Sequence, residues 1–151
     1  MTLALLITAV GGAWAQEQSE TIATTAKIVE GTHFTISNNG AYVDTDGMDA
    51  GSGITVTPKN GEFITKVVIT CGYSSVSDGD TSVSSGTKEF TNGGTTITVT
   101  GVNASTFTFT CTSDAQFAPQ FKQFVVYYAD ASSEPDIKVT TNAAEAGGTF
   151  T

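Results

Sequence analysis

Ile54-Thr55-Val56-Thr57-Pro58-Lys59-Asn60-Gly61-Glu62-Phe63-Ile64-Thr65-Lys66-Val67-Val68-Ile69-Thr70-Cys71 reads as strand, tight turn, strand. In the second arm Phe63, Thr65, Val67, Ile69 and Cys71 share one face and Ile64, Lys66, Val68 and Thr70 the other. A period of two in β-branched and aromatic residues is the mark of a half-buried strand. Asn60-Gly61 supplies the positive-φ residues that a hairpin needs, so the stretch predicts a hairpin.

Outward from this stretch the same recipe recurs. Residues 32–37 alternate, with Phe34 and Ile36 inward; Asn38-Asn39-Gly40 turns the chain and residues 41–43 pair back. Residues 44–53 read as a loop. Downstream, weak strands at 80–84 and 87–90 lead to a second hairpin signal, Asn92-Gly93-Gly94, and then to the strand 95–100. Residues 106–111 place Phe107, Phe109 and Cys111 on one face. Residues 121–128 place Phe124, Val126 and Tyr128 on one face and Val125 and Tyr127 on the other. Eight or nine short strands with closely spaced turns, and no sustained helical period, predict an all-β antiparallel sandwich, jelly-roll-like in its winding.

The ends divide off by composition. Residues 1–15 hold an apolar run followed by Ala13-Trp14-Ala15, the small-x-small pattern of a signal peptidase site, so they read as a signal peptide removed after Ala15. Its removal takes away Trp14, the one Trp of the chain. Residues 16–27 read as a flexible lead-in and 28–130 as the sandwich module. Residues 131–135 (Ala131-Ser132-Ser133-Glu134-Pro135) look like a linker. Residues 136–151 are too few to bury a core and read as the start of a truncated second β domain, with a larger chain downstream. The expected location is secreted or cell-surface, without membrane insertion once the signal is gone.

Charge narrows the function. The net charge is -9, and all six cations among the 151 residues are Lys. Phosphate backbones demand clustered cations, so a nucleic-acid partner is excluded. A neutral ligand, a cation or another protein fits better.

The stretch from 53 to 128 resembles a module of secreted and surface proteins of gut Bacteroidetes. The residues that carry the resemblance are Gly53-Ile54-Thr55-Val56-Thr57, Phe63 to Ile69, 106–110 and Phe121-Lys122-Gln123-Phe124-Val125-Val126-Tyr127-Tyr128. The tail Val139-Thr140-Thr141-Asn142-Ala143-Ala144, then Gly147 to Thr151, resembles the start of a repeat that follows such modules. The resemblance implies a jelly-roll or galactose-binding-like sandwich appended to a larger surface protein. It departs in carrying Val99 or Val102 where many such modules carry an aromatic residue.

Candidate chemistry is sparse. Cys71 and Cys111, forty positions apart (111 minus 71), each end a strand at core parity and read equally as a disulfide or as two thiols. Asp44, Asp46 and Asp49 in an acidic loop form a candidate calcium site, without EF-hand spacing; the plainer reading is a solvated turn. His33, the sole His, reads as a solvent-facing strand residue, which excludes a zinc centre built on it. There is no G-x-S-x-G elbow and no walled pair of carboxylates, so the chain reads as non-catalytic. Sugar faces stack on exposed rings; Tyr42, Tyr73, Phe117 and Tyr127 are the candidate platforms, with Asn103 and Gln116 among the amides that would bond hydroxyls. The expectation is a non-catalytic extracellular module binding a glycan or a surface partner, with a structural spacer or adhesin stalk domain as the alternative.

Overall fold

A computed structural model describes residues 17–38, 41–51, 53–111 and 119–130. The expected signal peptide, linker and second-domain start lie outside the described residues. Twelve strands follow in order: β1 (Gln18–Ala23), β2 (Ile28–Glu30), β3 (Phe34–Ser37), β4 (Val43–Asp44), β5 (Gly47–Asp49), β6 (Ile54–Pro58), β7 (Phe63–Tyr73), β8 (Thr81–Val83), β9 (Thr87–Thr91), β10 (Thr96–Ala104), β11 (Phe107–Cys111) and β12 (Gln120–Ala129). They form two antiparallel sheets. The larger runs β4-β5-β12-β7-β10-β9, with β1 also paired to β12; the smaller runs β2-β3-β6-β11-β8. The chain is an all-β antiparallel sandwich. Successive strands mostly change layer, and only β2–β3, β4–β5 and β9–β10 stay within one sheet.

The stretch 54–71 is therefore not a hairpin. β6 pairs with β3 and β11 in the small sheet, whereas β7 pairs with β10 and β12 in the large one. A two-residue type I′ hairpin needs positive φ at both central residues. Here Gly61 has it (φ 79°) and Asn60 does not, so the chain arches from one layer to the other. The Asn92-Gly93-Gly94 signal does close a hairpin, joining β9 to β10 with Thr91 opposite Thr96.

The remaining corrections have local causes. The lead-in contains β1, whose Ile22 is buried opposite Phe124, so one apolar residue in a polar run was enough to seat a strand. Residues 41–43 do not pair back on 32–37: Val43 opens β4, which pairs with β5 in the large sheet. The expected loop 44–53 holds the end of β4, β5 and the tight turn between them, where Asp44 lies opposite Gly47. Gly47 takes φ 116°, and a Cβ there would stand 2.2 Å from the Phe121 carbonyl oxygen. Only glycine fits.

Alternation fills the core as read, with two exceptions made by bulges. Phe34, Ile36, Phe107, Phe109, Phe124 and Val126 are fully buried. In β7 Thr65 is an extra residue: Tyr128 lies opposite Ile64 and Tyr127 opposite Lys66. This single bulge exchanges the faces. Ile64 is buried and Phe63 is 42% exposed, against the expected inward Phe63. Lys122 does the same in β12, so Phe121 and Phe124 both point inward.

Candidate functional site

The antiparallel β7–β12 pair runs the length of the sandwich and defines its two ends. At the end where β7 finishes, Tyr73 lies opposite Gln120, and Gln120 lies opposite Asp49 on β5. The Asp49 amide donates to the Tyr42 carbonyl oxygen (3.0 Å), which puts Tyr42 opposite Asp49. Residues opposite one another share a face. Tyr42, Asp49, Gln120 and Tyr73 thus form one row across four strands, on the outer face of the large sheet. Tyr42 is 65% and Tyr73 43% exposed; Asp49 is half-buried and Gln120 buried between them. Three strand spacings separate the rings, about 14 Å. Two aromatic faces with a carboxylate and an amide between them form an arrangement suited to hydroxyl-rich ligands.

The row is held from below. Gly72 stands between Cys71 and Tyr73 as a bulge, because Gln120 and Phe121 are consecutive while their partners are two apart. A Cβ on Gly72 would lie 1.8 Å from the Asp46 carbonyl oxygen, so the backbone of the β4–β5 turn packs directly on it. Phe121 meets Phe109 of the other layer edge-on, ring centroids 4.7 Å apart.

The other expected site residues fall elsewhere. Tyr127 is half-buried toward the opposite end, with the Lys66 ammonium 3.6 Å from its ring centroid. Asn103 is exposed in β10 with φ 44°, also toward that end. Phe117 and Gln116 lie outside the described residues. In the acidic turn one oxygen of each of two carboxylates is used locally: Asp44 Oδ1 accepts the Asp46 amide and Asp49 Oδ1 accepts the Gly51 amide, each at 2.8 Å. Among the described residues no three His, Cys, Asp or Glu side chains are grouped to hold a metal ion, Asp44, Asp46 and Asp49 included. Cys71 and Cys111 both stand as thiols, the first half-buried and the second buried.

A polar network at the opposite end escaped the sequence reading. His33, expected to be a solvent-facing strand residue, holds Glu62 through Nδ1 at 2.9 Å and stacks on Tyr128 with centroids 4.8 Å apart. Glu62 is only 3% exposed, and its other oxygen accepts the Asn60 amide at 2.8 Å. Burial works to raise its pKa. The Asn60 and Glu62 amides, His33 and the Asn60 side chain outweigh that and bring it down to about 2. The Glu20 carboxylate accepts the amides of Thr32, His33 and Phe34. Burial first, and then Asp130, Glu20 and Glu62, push the Tyr128 phenol up. The carboxylate partners of His33 lie 13 and 29 positions away, and no short motif joins them. The one signal was Glu62 directly after the turn, before the apolar arm.

Among the described residues His33, Glu62, Asn60 and Glu20 bind loop to strand and one layer to the other, which gives this network the parts of a structural clasp. Among the described residues no helix is long and apolar enough to cross a membrane. No family model, no curated protein and no solved structure matches the chain.

Proposed function

We propose that the chain is a non-catalytic extracellular binding module of a larger secreted or surface protein, taking a glycan on the Tyr42–Asp49–Gln120–Tyr73 row. The observation that carries this reading is the register that brings two exposed rings into line, at one end and on one face, on either side of a carboxylate and an amide. Rings stack on pyranose faces while the polar groups between them bond hydroxyls. Export is supported by the Ala13-Trp14-Ala15 pattern, and the strand pattern resembles the jelly-roll modules of Bacteroidetes-type surface proteins. The acidic balance and the lack of Arg speak for a partner other than nucleic acid.

A spacer or adhesin stalk without a ligand is the second reading. It is favoured by the position of Tyr127, capped by Lys66, and of Asn103, both remote from the row. Affinity electrophoresis of the whole chain through a panel of soluble polysaccharides separates the two. The binding reading expects retardation in at least one gel, lost in Tyr73→Ala and reduced in Tyr42→Ala. Unretarded migration in all of them, together with a blank glycan array, would leave the spacer.

A further inference from the structure

We propose that Cys71 and Cys111 close an intramolecular disulfide that ties the two sheets together beneath the Tyr42–Tyr73 row. Cys71 lies opposite Phe121 in the large sheet, on the core face. The Phe121 ring meets that of Phe109 across the interface, and Cys111 follows Phe109 two positions on, on the same face of β11 and 4% exposed. The layers close up at this end: the Cys111 amide donates to the Ala50 carbonyl oxygen, at the end of β5 in the large sheet, at 3.4 Å. The two thiols thus face one interior space from opposite layers, where the sandwich is pinched.

Cys71 is the half-buried partner and the point of entry; its thiol now donates to the Gly94 carbonyl oxygen at 3.7 Å. Burial first and Cys111 second push it up to about 11, so thiolate is scarce at neutral pH and exchange is slow once the core has closed. The oxidant is a small disulfide of the glutathione class. The Cys71 thiolate attacks one of its sulfurs and expels a thiolate. The Cys111 thiolate then displaces the second. The protein's two thiols become one S–S bond, and the oxidant, reduced by two electrons, takes up the two protons as two thiols. The bond closes a loop of forty positions (111 minus 71) and anchors the end of β7 two residues before Tyr73.

The test is to refold the full chain with oxidised and reduced glutathione at mildly alkaline pH. Thiols are then titrated in denaturant, intact mass is recorded, and melting is followed with and without dithiothreitol. The expected product is a monomer without titratable thiols, lighter by two hydrogens, melting roughly 10 °C higher than its reduced form. Cys71→Ser and Cys111→Ser each retain one thiol and show no rise, and Cys71→Ala/Cys111→Ala melts near the reduced protein. Two titratable thiols after refolding, glutathione adducts, disulfide-linked dimers, or a bond that leaves the midpoint unmoved would each overturn the proposal.

Discussion

Glu62 and Gln120 are both polar and nearly fully buried, and they sit at opposite ends of the β7–β12 pair. Around Glu62 polar groups of the sandwich bond one another: His33, Asn60 and Glu20 bind loop to strand and layer to layer. Around Gln120 the rings of Tyr42 and Tyr73 are exposed, and backbone packs against backbone at Gly72. One end is a clasp and the other carries the proposed platform. The contrast teaches that a buried polar group takes its meaning from its company: Glu62 sits among charge-assisted bonds, Gln120 in a row between two exposed rings.

Substitutions can break that contrast, and Phe121→Ala should do so most severely. The ring is fully buried and is the floor of the platform end, so truncation should cost about 3–5 kcal/mol, read from urea midpoints. Glu62→Gln keeps the size but loses the charge-assisted bonds, for a cost of about 2–3 kcal/mol at neutral pH. Because the carboxyl pKa is lowered from 4.5 to about 2 on folding, its contribution is complete above pH 4.5 and lost as pH falls toward 2. Melting curves between pH 6 and 2 should fall less steeply for Glu62→Gln than for the parent. A parallel decline in both would mean that Glu62 is not what holds that end.

Gly72→Ala sharpens the comparison from the other side. The Cβ would meet the Asp46 carbonyl, so the β4–β5 turn must shift, at about 1–3 kcal/mol and with loss of whatever the row binds. Tyr73→Ala should be the mildest. An exposed ring contributes less than about 0.5 kcal/mol to folding, so its melting curve should overlay the parent's while retardation in polysaccharide gels disappears.

Much of the layer structure was legible in residue order. Phe107, Phe109, Phe124 and Val126 point inward as their spacing requires, because a strand's side chains alternate whatever it pairs with. Phe63 defeated the same rule because the bulge at Thr65 is set by the partner strand β12 and leaves no local mark. Half of the platform was legible as well. Tyr42 and Tyr73 could be picked out as rings without a core position, but their alignment depends on β5 and β12 lying between them.

By itself the sequence determined most of the strands, β1 and β5 excepted, and, bulges apart, which of their side chains seek the interior, since both follow from sterics and solvation within a few residues. It also determined the acidic, Arg-free surface. Tertiary structure decided which sheet each strand enters, turning an expected hairpin into an arch between layers. It also brought His33 to Glu62 and Tyr42 into line with Tyr73. Those outcomes rest on hydrogen bonds and packing between segments tens of residues apart, whose free energy exists only once both layers are in place.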